Sequence, residues 1–301
     1  MIIEHVQTKR EIEATLEAAG FSPRKRFGQH FLIDGNLMRR LVESAELQPQ
    51  DFVLEVGGGT GGLTDLLVGK ASQVLCAEID RGLHGILQNR LRGATNLSLV
   101  HDDVLHGKHA LAPSIGQWLK EAEPKNGGAI KLVSNLPYQI ASPLLMDLLV
   151  DFSNVKRLCF TVQAEVGDRI LSPPGCKAYG PLSIVIQALC HGETIAQLPP
   201  HVFWPRPGVD SVMLRLDRKS IGPFSDVDEL RRFTRLVRGV FDHRRKTLRG
   251  ALGFALDAKT LDRALATVNG TRRPEELEVA EWLAVFRSAD VDARPGEKDA
   301  D

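Results

Sequence analysis

At 301 residues, with 43% hydrophobic and 25% charged side chains, the chain has a globular composition that excludes a disordered or fibrous protein. Lys plus Arg equal Asp plus Glu at 38 each, so no overall charge selects a nucleic acid or a membrane as partner, although the charges are unevenly spread. Met1 to Arg10 shows no secretory leader, no apolar run approaches the roughly 18 residues of a spanning helix, and the four cysteines form no C-x-x-C pair; the expectation is a cytoplasmic protein with reduced, mostly buried thiols and no metal site.

The chain opens on a helix signal: Thr8 and Glu11 are spaced as a capping box, Ile12, Leu16 and Ala19 follow as an apolar stripe, and Gly20 is a stop. Arg24, Lys25 and Arg26 make a basic knot, and a second helix is expected after Asp34. Five short apolar runs come next, at Phe52 to Val56, Val74 to Ile79, Leu97 to Val100, Lys131 to Ser134 and Arg157 to Val162, with helical stretches between them. That alternation predicts a parallel sheet covered on both faces.

The first run leads directly into Gly57-Gly58-Gly59-Thr60-Gly61-Gly62 and then a helical stretch. Glycines there let the backbone approach a nucleotide-like ligand closely, and both Gly57 and Gly59 are candidate cofactor contacts. A dinucleotide and S-adenosylmethionine (SAM) satisfy this pattern equally. Glu78, about 20 residues on at the end of the second run, is placed to accept from ribose hydroxyls of either cofactor. Asp102 and Asp103 end the third run at the same edge, where a carboxylate can accept from an adenine amino group.

The fourth run ends in Asn135-Leu136-Pro137-Tyr138. An exocyclic adenine nitrogen has its lone pair delocalised into the ring, so methylating it requires acceptors that align the nitrogen and favour pyramidal geometry. An Asn carbonyl and a main-chain carbonyl at a strand end fixed by Pro137 supply two acceptors, which is orientational and electrostatic catalysis without a strong base. Tyr138 offers a face on which an extruded base can stack, a contact worth roughly 1 to 3 kcal/mol. Hydride transfer has no use for this tetrapeptide, and a dehydrogenase's His or Lys acid-base partner is not evident.

After a loop at Pro173-Pro174-Gly175, Ser183 to Cys190 reads as a strand or a short helix. Thr194 to Leu198 and Ser211 to Leu216 read as an antiparallel hairpin finishing the sheet. Beyond a linker at Asp217 to Ser225, Leu230, Phe233, Val237 and Val240 recur at helical spacing, and Arg231 to Arg249 holds eight basic residues against the single acid Asp242. Arg244, Arg245 and Lys246 with Arg24 to Arg26 are the expected grip on an RNA backbone. The tail from Ser288 is expected to be disordered.

Several motifs in order resemble one family. They are R-K-R-F-G-Q-H-F-L from Arg24, V-L-E-V-G-G-G-T-G-G-L-T around the glycine turn, A-E-I-D-R at Ala77, N-L-P-Y at Asn135, K-A-Y-G at Lys177, F-W-P-R-P-G-V-D-S at Phe203 and F-D-H-R-R-K-T-L-R at Phe241. Between Arg24 and about Leu283 the chain resembles the KsgA-type ribosomal small-subunit RNA adenine N6,N6-dimethyltransferases, relatives of the erythromycin-resistance methyltransferases. The resemblance implies SAM as cofactor, with His30 and Leu32 closing over it, Gly57 beneath its methionine part, Glu78 on the ribose, Asp103 on the adenine and Asn135 near the reacting methyl. Phe203 is implied to sandwich the target base opposite Tyr138. The implied substrate is a pair of adjacent adenines in a hairpin loop near the 3′ end of small-subunit (16S) rRNA, met in an immature 30S subunit. His30 stands where the family usually has Asn, Gly58 replaces a common Pro, Gln139 and Ala141 replace Asn and Ser, and Gly107 to Ala129 is longer than the family norm.

The fold expected is α/β, a Rossmann-like SAM-dependent methyltransferase with a mostly parallel seven-stranded sheet, an antiparallel last strand and a small all-helical C-terminal domain. Its expected divisions are an N-terminal segment at 1–35, the methyltransferase domain at 36–218, the helical RNA-docking domain at 219–287 and the tail at 288–301. A monomer is the expected state. An NAD(P)-dependent oxidoreductase and a noncatalytic assembly or transcription factor are the competing readings.

Overall fold

The computed structural model describes residues 6–24, 28–107 and 110–289. Helix α1 (Lys9–Ala18) begins with the reciprocal cap read from the sequence: the Glu11 N–H donates to Thr8 Oγ1 and the Thr8 N–H donates to Glu11 Oε2 at 2.7 Å. The short strand β1 (Phe31–Leu32) leads to α2 (Gly35–Ser44), where Asp34 accepts from the Asn36 and Leu37 N–H groups.

The central repeat runs β2 (Phe52–Val56), α3 (Gly62–Val68), β3 (Gln73–Ala77), α4 (Arg81–Arg90), β4 (Leu97–Val100), α5 (Pro113–Glu121), β5 (Ile130–Asn135), α6 (Ala141–Asp151) and β6 (Val155–Gln163). The helix α5 lies in the long segment between β4 and β5 and buries Ile115 and Leu119. After α7 (Ala164–Leu171) and α8 (Pro181–Leu189) come β7 (Cys190–Leu198), β8 (Phe203–Trp204) and β9 (Ser211–Arg218). Seven strands form one sheet in the order β4-β3-β2-β5-β6-β9-β7. All its neighbours are parallel except at β9, which runs antiparallel to both β6 and β7.

Alternation of side chains explains why these strands read as continuous apolar runs. Val53, Val133, Cys159 and Met213 point to one face, in a cluster with Met38 and Leu41 of α2 and Leu66 and Leu67 of α3. The alternate residues Leu54, Leu132, Leu158 and Phe160 are also buried, so both faces are covered. Cys76, Cys159 and Cys190 are buried, whereas Cys176 is exposed.

The chain divides into two compact units, Met1–Gly167 with Cys190–Arg218, and Asp168–Leu189 with Lys219–Asp301. This corrects the continuous 36–218 domain, because residues 168–189 leave it for the helical unit. The ambiguous segment Ser183 to Cys190 is mostly helix: α8 packs against α9 (Val227–Phe241) and α12 (Val279–Ser288), and its run Ile184, Val185, Ile186 is buried all round. Burial on every side erases the periodicity that separates helix from strand. Between them lie α10 (Leu248–Leu252) and α11 (Ala258–Leu265). The unit closes around Tyr179, Phe233 and Trp282, and the Tyr179 hydroxyl donates to the Leu277 carbonyl at 2.9 Å. Ser288 still belongs to α12, and 290–301 fall outside the described residues. Among the described residues no helix is long and apolar enough to cross a membrane.

Candidate active site

A cavity of about 290 Å³ opens where the parallel strands end. At its floor Gly57 has φ +79°, and a Cβ there would stand 3.2 Å from Pro137 Cγ. Gly59 has φ +60°, and a Cβ would stand 3.0 Å from the Phe31 ring. Left-handed backbone and two aromatic or prolyl walls therefore both require glycine. Gly58, the departure from a family Pro, has a neighbour of its own: a Cβ would lie 2.4 Å from Cys76 Sγ.

Glu78 is held at the end of β3 by its own N–H, which donates to the Val100 carbonyl at 2.9 Å. Its side chain is 4% exposed and accepts from the Gly59 and Asp80 N–H groups, each at 2.9 Å. Burial pushes its carboxyl above the ordinary value, against those two donors. Two N–H contacts leave lone pairs for further donors facing the cavity. Asp103 lines the opposite rim, exposed, with one oxygen accepting from the Leu105 N–H at 3.1 Å. Ile79, an apolar side chain 38% exposed, lines the same cavity.

Asn135, Leu136, Pro137 and Tyr138 all line the same cavity. The Asn135 amide has one admissible orientation. Its Nδ2 donates to the His30 main-chain carbonyl at 2.8 Å, an atom that can only accept, so Oδ1 faces the Thr161 hydroxyl and accepts from it. Thr161 is buried on β6, directly beside Asn135 in the parallel register. One lone pair of Oδ1 remains. Among the described residues no donor reaches the Leu136 carbonyl. The Tyr138 hydroxyl bonds to Ser211 Oγ at 2.6 Å, and burial pushes the phenol above its ordinary value. Its ring lies near-parallel to His30, centroids 5.6 Å apart. The His30 Nδ1 is 2.6 Å from the Pro205 carbonyl, which accepts only, so that nitrogen carries a proton and Nε2 is the free one.

Two expected site residues lie elsewhere. Leu32 and Phe203 face each other across the β1–β8 pair, and both are buried in the apolar cluster with Met38 and Val133. Phe203 is 2% exposed and does not line the cavity, which corrects its placement against the target base. Leu32 reaches only a smaller cavity of about 40 Å³ beneath the glycine turn. Period-two alternation gives the cavity wall to Phe31 instead. Arg24 pairs with the buried Asp80 at 3.2 Å and lies over the Phe21 ring, so its charge is already engaged; Lys25 and Arg26 fall outside the described residues. In the helical unit Arg244 lies 3.9 Å from Glu275, while Arg245 and Lys246 are exposed.

The family model for ribosomal RNA adenine dimethylases matches residues 20–290. The chain belongs to the ribosomal RNA adenine dimethylase family. It is 37% identical over 289 residues to the ribosomal RNA small subunit methyltransferase A of Moorella thermoacetica, covering 95% of this chain and 99% of that one. It is 36% identical over 270 residues to the protein of the same name from Clostridium acetobutylicum, covering 89% and 94%. Among solved structures it is similar to the 23S rRNA methyltransferase ErmE, with a TM-score of 0.62 at 25% identity over 86% of this chain and 99% of that one. A dimethyladenosine transferase from Plasmodium falciparum has the same fold, with a TM-score of 0.68 at 23% identity over 87% and 98%.

This enzyme is thus a SAM-dependent ribosomal RNA adenine dimethyltransferase, which removes both competing readings, the NAD(P)-dependent oxidoreductase and the noncatalytic factor. The cavity fits that cofactor: a buried carboxylate with unused lone pairs suits a ribose diol, an exposed carboxylate at the rim suits an adenine amine, and an apolar wall suits a purine face. Phe31, Ile79, Thr161 and Ser211 were missed in the sequence. Ile79 alone left a signal, as the last apolar residue of the second run, immediately after Glu78.

Proposed function

We propose that this enzyme dimethylates N6 of two adjacent adenines in a hairpin loop near the 3′ end of small-subunit (16S) rRNA. It acts as a cytoplasmic monomer on immature 30S subunits during ribosome biogenesis. The support for the substrate class is the similarity to proteins named small subunit methyltransferase A over nearly their whole length.

The observation that carries the chemistry is the fixed Asn135 amide at the cavity wall. SAM supplies an electrophilic methyl group. Gly57 and Gly59 give its methionine part close backbone approach, with His30 beside them; Glu78 binds the ribose and Asp103 the adenine. Asn135 Oδ1 and the Leu136 carbonyl accept the two N–H groups of the flipped adenine, and Pro137 fixes the turn that presents them. Their pull localises the nitrogen lone pair along the line of attack. The second methylation has one N–H left to engage, so one acceptor then suffices for orientation. Tyr138, braced by Ser211, supplies the stacking face. Arg244, Arg245 and Lys246 bind RNA phosphates, with Lys25 and Arg26 as a second contact.

Incubating the protein with SAM and undermethylated small subunits, then mapping methyl mass onto the rRNA, tests this reading. Dimethylation of two neighbouring adenines near the 3′ end is expected. Absence of methyl incorporation into those subunits, or methyl mass mapping away from the 3′ end, would overturn the substrate assignment.

A further inference from the structure

The helical unit carries an aromatic pair that the chemistry above does not use. After α9 the chain makes a tight turn, with the His243 N–H donating to the Val240 carbonyl at 3.0 Å and the Lys246 N–H to the His243 carbonyl at 2.9 Å. Thr247 then caps α10, and the Phe254 N–H donates to the Ala251 carbonyl as that helix ends. These local bonds bring His243 and Phe254 face to face, with ring centroids 3.9 Å apart and planes 23° apart. Phe254 is nevertheless 62% exposed, the one aromatic among the exposed large hydrophobic side chains of the described residues. Lys246 Nζ lies 5.4 Å from its ring centroid. Arg245 and Arg249 are exposed close by in sequence, and among the described residues no carboxylate pairs with Arg245, Lys246 or Arg249.

We propose that Phe254, backed by His243, is a stacking platform for one unpaired nucleobase of the RNA substrate, with Lys246, Arg245 and Arg249 taking the phosphates that flank it. This rests on the reading that the chain binds structured rRNA. A largely exposed aromatic ring costs solvation unless something flat covers it, and Arg245, Lys246 and Arg249 outnumber the acids Asp242 and Asp257 near it in sequence, which suits a polyanion. Paired bases keep their faces inside the duplex, so the occupant is a bulged or loop nucleotide. The platform thereby gives the helical unit a preference for unpaired RNA that phosphate contacts alone cannot provide.

The test measures binding of undermethylated small subunits, and of their deproteinised rRNA, over a range of KCl concentrations. Phe254→Ala is expected to weaken both by roughly five- to tenfold, the low end for a stacked base, with the salt dependence unchanged. Phe254→Tyr is expected to restore affinity. Arg245→Ala is expected to reduce the slope of log K against log salt by about 0.7 to 0.9, the signature of one lost phosphate contact. Thermal unfolding of the Ala variant should match the wild type, since the ring is exposed. Unchanged affinity in Phe254→Ala alongside the Arg245 effect would overturn the platform and leave RNA binding standing. Loss confined to whole subunits would assign Phe254 to a ribosomal protein and overturn the nucleobase. Failure of the wild type to bind either RNA would overturn the underlying reading as well.

Discussion

The two edges of the central sheet are built on opposite electrostatic plans. At the amino edge of the parallel strands the charges beside the sheet are neutralised in pairs and clusters. Lys131 on β5 pairs with Asp51 at 2.7 Å and donates to the Ala45 and Glu46 carbonyls, while Arg157 and Arg215 share Asp217 and Glu46. At the carboxyl edge Glu55 and Glu78 are buried with no paired cation among the described residues, and the glycine turn holds left-handed backbone that favours glycine. Burial alone would raise Asp51, but the Lys131 ammonium and the Gln48 and Ala129 N–H groups outweigh it and hold the carboxyl below its usual range. Burial lifts Glu55 to about 7, assisted by the nearby Glu78 charge. One edge holds the fold together; the other keeps acceptors unspent for a ligand.

The sharpest break between the two plans is expected at Asn135. Asn135→Ala should lower the methyl-transfer rate at saturating SAM by at least about a thousandfold, some 4 kcal/mol of barrier, because acceptors that engage the amine only as it becomes pyramidal act on the rate and not on cofactor binding. Radiolabelled methyl incorporation and equilibrium SAM binding separate the two. Turnover at the wild-type rate would remove Asn135 from the mechanism.

At the opposite edge Lys131→Met should cost about 3 kcal/mol of stability, since it strands Asp51 as a buried charge without its ammonium. Denaturant unfolding reads this directly, and the activity of the fraction that remains folded should be unchanged. A loss below about 1 kcal/mol would mean that main-chain donors suffice for Asp51 and that the clamp is dispensable.

The carboxyl edge was the more legible of the two in the sequence. Each parallel strand is a short apolar run, and the polar residue that ends it must emerge at one edge, so Glu78, Asp103 and Asn135 converge by topology alone. What could not be read is whatever depends on pairing between distant segments. Phe31 faces the cavity and Leu32 the core because β1 pairs with β8, and the same register turns Phe203 inward. Thr161 meets Asn135 only once β5 and β6 are in register. The transfer of residues 168–189 to the helical unit was hidden for a related reason, because a continuously apolar helix carries no stripe to show which neighbour it will pack on.

Acid and base should tell the edges apart. Asp51, with a depressed folded value, contributes stability that is present above its unfolded value and is lost as pH falls through the folded one. Glu55 works the other way: as pH rises from below 4.5 towards about 7, the unfolded chain ionises first and stability is lost. Between pH 5 and pH 8 that penalty grows by roughly 2 kcal/mol. The stability of Glu55→Gln should therefore gain on the wild type by about this amount over the interval. Parallel pH profiles for the two proteins would show that Glu55 ionises normally and that the carboxyl edge is not held by a neutral acid.

The smallest effect separates orientation from contact at Asn135. Its amide is held from two sides, by the His30 carbonyl on Nδ2 and by the Thr161 hydroxyl on Oδ1. Thr161→Val keeps the volume and removes only the hydroxyl donor, so the amide stays correctly flipped but gains a range of torsion angles. The expected loss is about 1 kcal/mol, or five- to tenfold in rate, with SAM affinity unchanged. A merely structural role would instead lower the unfolding midpoint without changing the rate of the folded enzyme. Rescue by Ser with failure of Val would place Thr161 in the alignment of the amide. Equal rates in all three proteins would leave the His30 carbonyl as the sole restraint, and the carboxyl edge would then depend on a main-chain atom that no substitution at position 30 removes.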